Sequence, residues 1–146
     1  MIYLDTSCLL KLILDEAESE DVRLAVNTAD YIVISSLAEL ETEVQLKASM
    51  LGGEIRPAHW RHLQAIFVSM RNTAPFYFKP LPSTVFETAL QQHRHAQARY
   101  CRSLDRLHLA AMEELGLATL MTLDGPQANA ALGLGYKVIR PGMRQT

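Results

Sequence analysis

The opening stretch Met1-Ile2-Tyr3-Leu4-Asp5-Thr6-Ser7 restricts what this chain can fold into more than any other. Its apolar run, with one β-branched and one aromatic residue, reads as a short buried strand that stops at a carboxylate followed by two hydroxyl residues. The apolar Cys8-Leu9-Leu10-Lys11-Leu12-Ile13-Leu14 follows at once, leaving no room for a hairpin, so the expected order is strand, tight turn, helix. Asp5 then stands at the carboxyl end of a strand, the edge where open α/β sheets gather loops and helix N-termini around a ligand. Asp5 or Thr6 can equally cap the helix that follows. On this stretch alone both readings stand.

The rest of the chain repeats the alternation. Buried strands are expected over residues 31–35, 118–122 and 136–139, with a weaker one over 76–80. Helices are expected from the acidic run 15–21 through Val26, over 37–51 up to Gly52-Gly53, and over 57–73. Three more run from a Ser83 cap to about Ala96, over 103–112 and over 127–132. Strands and helices that alternate throughout imply an α/β fold, a three-layer αβα sandwich on a mostly parallel central sheet of four to five strands. At 146 residues the chain fits one domain, 1–146.

Composition removes several classes of function. The longest apolar run falls well short of the roughly 20 residues that cross a bilayer, and no basic segment with a cleavage-like site opens the chain, so a soluble cytoplasmic protein with no membrane partner is expected. Cys8 and Cys101 lie far apart without metal spacing and are expected as reduced thiols. No glycine-rich phosphate loop is present, which argues against nucleotide-fuelled chemistry. Residues 1–54 carry eleven acidic against three basic side chains, and residues 55–146 five against eleven. An acidic half beside a basic half suits a metal-using enzyme with a phosphate-rich substrate.

Within the helix over 37–51, Leu37, Leu40, Val44, Ala48 and Leu51 follow the spacing of an inward stripe, and Glu41 falls on it. Glu39 and Glu43 project elsewhere. A carboxylate on a buried face is costly unless paired with a cation, so Glu41 is either half of a hidden salt bridge or a site residue. Trp60, Leu63, Ile66, Phe67 and Met70 form a stripe that serves as core or as a dimer surface. His59, His62, His93 and His95 lack ligand spacing and read as surface residues. The helix over 103–112 is apolar around most of its circumference and therefore central, with Asp105 near its start as a cap or a site residue. Arg99, Arg102 and Arg106 recur at 3-4 spacing beside it, as a basic stripe toward a substrate or a solvated face. A further strand delivers Asp124 to its carboxyl end, with Thr122 two residues before it.

Asp5, Glu41, Asp105 and Asp124 thus stand out by position. Four crowded acids repel one another, and a divalent cation removes that penalty. An oxygen-only donor set without His or Cys selects Mg²⁺ or Mn²⁺, ions that bind phosphate oxygens and activate water for attack on a phosphodiester.

The chain resembles PIN-domain ribonucleases, and among them the VapC-type toxins of toxin–antitoxin pairs. The matching pieces are Tyr3-Leu4-Asp5-Thr6-Ser7, Ser35-Ser36-Leu37-Ala38-Glu39-Leu40-Glu41, Leu104-Asp105-Arg106-Leu107-His108-Leu109-Ala110 and Thr122-Leu123-Asp124, followed by residues 130–135 and Val138-Ile139-Arg140-Pro141. The resemblance implies that Asp5, Glu41, Asp105 and Asp124 are catalytic metal ligands for Mg²⁺ or Mn²⁺. It implies that Thr6, Ser7, Ser35 and Thr122 support them by hydrogen bonds, with Ser35 suiting the spacing to Glu41 better than Ser36. It further implies cleavage of RNA, a cognate antitoxin and a homodimer. Arg106 stands where many relatives carry a small residue and is a candidate phosphate contact with Arg99 and Arg102. A haloacid-dehalogenase-type phosphatase also opens with an aspartate after a first strand, but it needs a second two residues later, where this chain has Ser7. The remaining alternative is a PIN fold that binds RNA or protein without turnover.

Overall fold

The computed structural model describes residues 1–95 and 97–143. Five strands, β1 (Ile2–Leu4), β2 (Ile32–Ser35), β3 (Phe76–Lys79), β4 (Thr119–Met121) and β5 (Lys137–Ile139), form one sheet in the order β3-β2-β1-β4-β5. Every neighbouring pair is parallel. Between β1 and β2 lie α1 (Thr6–Ile13) and α2 (Ser19–Asn27), and between β2 and β3 lie α3 (Ser36–Leu51) and α4 (Pro57–Ser69). Helices α5 (Val85–Arg94) and α6 (Ser103–Glu114) precede β4, and α7 (Gly125–Gly133) connects β4 to β5. This is the expected αβα sandwich, with the sheet parallel throughout.

The two cores follow from strand alternation. Leu4, Ile32, Ile34 and Met121 point to the face covered by α1, α2, α3 and α4, where they meet Leu9, Val22, Leu46 and Phe67. Tyr3, Val33 and Leu120 point the other way, onto Val85, Leu109, Met112 and Ala131 of α5, α6 and α7. The chain runs from β1 outward to β3 and then returns to place β4 on the other side of β1. The ends of β1 and β4 therefore flank the point where strand order reverses, the place where sheets of this kind bind ligands.

The structure departs from the sequence reading in local details. On α3 the apolar stripe faces solvent: Leu40, Val44 and Leu51 are exposed, whereas Ala38, Thr42 and Leu46 are buried. The buried face carries one alanine, one threonine and one leucine, a pattern that simple apolar spacing overlooks. Of the two roles expected for the stripe on α4, the structure takes the core one: Leu63, Phe67 and Met70 are buried and Trp60 and Ile66 pack against them. That helix ends at Ser69 and a 3-10 turn takes the chain to Asn72. Helix α5 begins after Thr84 without a side-chain cap, so Ser83 does not cap it, and its expected end at Ala96 lies outside the described residues.

Candidate active site

Asp5 and Asp124 are delivered by strand ends, Asp105 by a first helical turn and Glu41 by the second turn of α3. Asp5 follows β1 directly and is also the N-cap of α1, so cap and site residue are one role rather than rivals. Its Oδ2 accepts from the Ser7 amide (3.2 Å), the Ser7 hydroxyl (2.6 Å) and the Thr122 hydroxyl (3.0 Å), and its Oδ1 accepts from Gln127 Nε2 (3.1 Å). Asp124 caps α7, accepting from the Gln127 amide at 2.8 Å, while its own amide donates to Thr122 Oγ1 at 3.0 Å. Asp105 lies in the first turn of α6 and accepts from the Arg102 amide at 3.2 Å.

Glu41 arrives from α3, which leaves the end of β2 under a Ser35 cap. Its Oε2 accepts from Thr6 Oγ1 (2.7 Å) and from His108 Nε2 (2.5 Å). His108 Nε2 also lies 3.6 Å from Asp5 Oδ1. Burial works against the charge on Glu41, and the hydrogen bonds from His108 and Thr6 outweigh it, so its carboxyl sits below the usual range. Burial likewise opposes the charge on His108, and the bond to Glu41 with the nearby Asp5 raises its pKa.

The four acids thus form one linked cluster. His108 lies against Asp5 and Glu41, Thr122 and Gln127 join Asp5 to Asp124, and Arg102 joins Asp124 to Asp105 through contacts of 3.2 Å and 3.0 Å. Among the described residues, no group of three or more His, Cys, Asp or Glu side chains already stands in ligating geometry. The guanidinium of Arg102 pairs with Asp105 and Asp124 instead. The donor chemistry nevertheless fits a hard divalent cation. Four carboxylates gather at one sheet edge, where the balancing positive charge comes from Arg102 and, when protonated, His108.

The hydroxyl residues fall into two groups. Thr6, Ser7 and Thr122 touch the carboxylates directly, whereas Ser35 bonds to Tyr3 Oη (2.6 Å) and the Ala38 amide (3.2 Å) and reaches none of the acids itself. The three arginines do not form one stripe, because α6 starts only at Ser103 and Arg99 and Arg102 precede it. Arg102 is exposed beside the acids, and Arg99 donates to the Asn129 carbonyl. Arg106 is buried and donates to the Arg99 carbonyl at 2.6 Å, so it is not presented to a substrate at the surface. His59, His62, His93 and His95 are all exposed, as expected. The sequence reading passed over Gln127, Tyr3 and His108 as site residues. The signal for His108 was a polar residue inside the apolar run from Leu107 to Met112, a buried position that needs a partner.

The PIN domain family matches residues 2–132 of the chain. Ribonuclease VapC35 of Mycobacterium tuberculosis is 31% identical over 97% of this chain and 98% of its own length, and Ribonuclease VapC46 of the same organism is 33% identical over 96% and 97%. This chain belongs to the PIN-domain family. Within it the similarity is to the VapC-type proteins. The fold of this PIN domain matches M. tuberculosis VapC20, a sarcin-ricin loop cleaving toxin, with a TM-score of 0.69 and 20% identity over 97% of this chain and 100% of that one. It also matches a chain of FitAcB from Neisseria gonorrhoeae with a TM-score of 0.71 and 16% identity, covering 97% and 98% of the two chains. A chain of Rickettsia felis VapBC2 bound to a promoter DNA fragment matches with a TM-score of 0.67 and 14% identity, covering 95% and 98%.

Proposed function

We propose that this PIN domain is a Mg²⁺- or Mn²⁺-dependent endoribonuclease acting as the toxin of a toxin–antitoxin pair. The observation that carries the reading is the convergence of Asp5, Glu41, Asp105 and Asp124 at the switch point of the sheet, tied together by Thr122, Gln127, His108 and Arg102. Its similarity over nearly full length to two VapC ribonucleases supports the same chemistry.

The four carboxylates would hold the cation. When bound, it supplies Lewis-acid stabilisation of a phosphodiester and a water of lowered pKa. The chain's own residues set the geometry. Ser7, Thr122 and Gln127 fix the Asp5 carboxylate, Thr6 and His108 fix Glu41, and the α7 N-terminus fixes Asp124. Arg102, exposed and paired with two of the acids, would be free to contact an RNA phosphate if a bound cation held those carboxylates. A cognate antitoxin and a homodimer complete the proposal. Two of the structural neighbours are named as chains of assemblies, FitAcB and VapBC2.

The test is cleavage of a loop-containing RNA pool in Mg²⁺, Mn²⁺ or EDTA, beside a folded Asp5→Asn variant. Metal-dependent cleavage that falls by at least about 100-fold in the variant is the expected result. RNA binding without cleavage in either metal, unchanged by Asp5→Asn, would replace this reading with that of a binding module.

A further inference from the structure

Glu41 differs from the other three acids in how it is held. Asp5, Asp105 and Asp124 each accept a backbone N–H, from Ser7, Arg102 and Gln127 respectively, because each sits at or near a helix N-terminus where amides are free. Glu41 lies one to two turns inside α3, where the helix uses its own amides, and its longer side chain has more torsions to fix. Both of its donors are side chains, Thr6 and His108, and both bind the same oxygen, Oε2. Oε1 is thereby left without a protein donor among the described residues.

His108 is itself held by a buried chain. It is 1% exposed, and Tyr3 and Ser35 are fully buried. A carboxylate can only accept, so His108 Nε2 carries the proton shared with Glu41. In the neutral ring Nδ1 is then an acceptor, and the Tyr3 hydroxyl 2.7 Å away donates to it. With the ring neutral the Ser35 hydroxyl at 2.6 Å in turn donates to Tyr3 Oη, and Ser35 Oγ accepts the Ala38 amide at 3.2 Å. With the ring neutral every proton in this sequence has one acceptor, and the chain runs from the cap of α3 back to a carboxylate on the same helix. The Tyr3 and His108 rings also meet edge to face, with centroids 5.7 Å apart.

We propose that Ser35, Tyr3 and His108 form a buried positioning relay that anchors Oε2 of Glu41 and leaves Oε1 available to the metal. The inference rests on Glu41 being a metal ligand, as in the reading above. It makes His108 and Tyr3 positioning residues rather than catalytic ones. It also explains why a tyrosine fills the β1 position that a plain apolar residue would otherwise fill.

The experiment is Mn²⁺ titration of the full chain followed by electron paramagnetic resonance, with thermal unfolding of each variant in EDTA as the folding control. Glu41→Gln tests the ligand reading. Tyr3→Phe and His108→Asn test the relay, and His108→Gln restores an N–H near the position of Nε2. Loss of a partner next to a metal ligand typically weakens metal binding about 10- to 100-fold. The expected result is a loss of that order in His108→Asn, a several-fold loss in Tyr3→Phe, and partial recovery in His108→Gln, all in folded protein. If Glu41→Gln weakens binding while Tyr3→Phe stays within twofold of the parent chain, the relay is refuted, whether or not the His108 variants fold. If Glu41→Gln itself leaves Mn²⁺ binding unchanged, the ligand reading fails and the relay falls with it.

Discussion

Glu41 and His108 oppose each other's ordinary behaviour, and the consequence is a stability that depends on pH when no metal is bound. Burial penalises the charge on Glu41, but the His108 and Thr6 hydrogen bonds outweigh it and lower its pKa from about 4.5. A lowered carboxyl stabilises the fold above its unfolded value, and that contribution is lost as pH falls through the folded one. His108 moves the other way, because Glu41 and Asp5 outweigh burial and raise it from about 6.5. Its contribution is complete below the unfolded value and lost as pH rises through the folded one. The metal-free chain is therefore expected to be most stable between about pH 4.5 and 6.5 and to weaken on both sides. Thermal unfolding in EDTA across pH 3 to 9, on the order of the range these groups span, reads this out. In Glu41→Gln both flanks should flatten, and a curve identical to that of the parent chain would show that the pair does not set the profile.

At the scale of elements, the strand ends were legible and the helix faces were not. Asp5 and Asp124 could be placed from sequence because a short apolar run ending in an aspartate leaves a strand few other readings, and the sheet brings the two ends together. Asp105 was legible in the first turn of an apolar helix. Glu41 was reached by a stripe that faces the wrong way. Leu40 and Val44 are exposed, and the buried face of α3 is carried by Ala38, Thr42 and Leu46. Glu41 points inward because it lies beside Ala38 and Thr42 on that face, with His108 opposite it. The error arose because apolar periodicity finds a buried face only where no second apolar surface competes with it. Leu46→Ala is accordingly expected to cost about 2–5 kcal/mol, the range for truncating a buried leucine. Leu40→Ser should change the stability of the folded monomer by less than about 0.5 kcal/mol. Urea unfolding of both variants at low protein concentration decides between the faces, and a larger loss for Leu40→Ser would restore the original stripe.

For the whole molecule, the outward apolar residues need an explanation that single leucines would not. Leu37 and Leu40 of α3, Phe86 of α5, Leu107 of α6 and Leu81 line one continuous groove. Phe86, Leu90 and Tyr100 carry the surface on toward Arg102 and the acids. Phe86 is 64% exposed and Tyr100 82%, and the proposed homodimer would cover this apolar surface. The groove runs from α3 to the edge of the candidate site, so a second copy docked there would set two acid clusters within one assembly. The α4 stripe around Trp60 is spent on the core and cannot serve that purpose. Sedimentation of the purified chain should therefore show a dimer, and Phe86→Glu should convert it to a monomer while leaving the far-ultraviolet spectrum unchanged. Because the dimer adds apolar burial outside the folding core, its loss should make the unfolding midpoint of the variant independent of protein concentration, while that of the parent chain rises with it. A parent chain that sediments as a monomer at tens of micromolar would assign the groove to a different protein and leave the acid cluster complete within one copy.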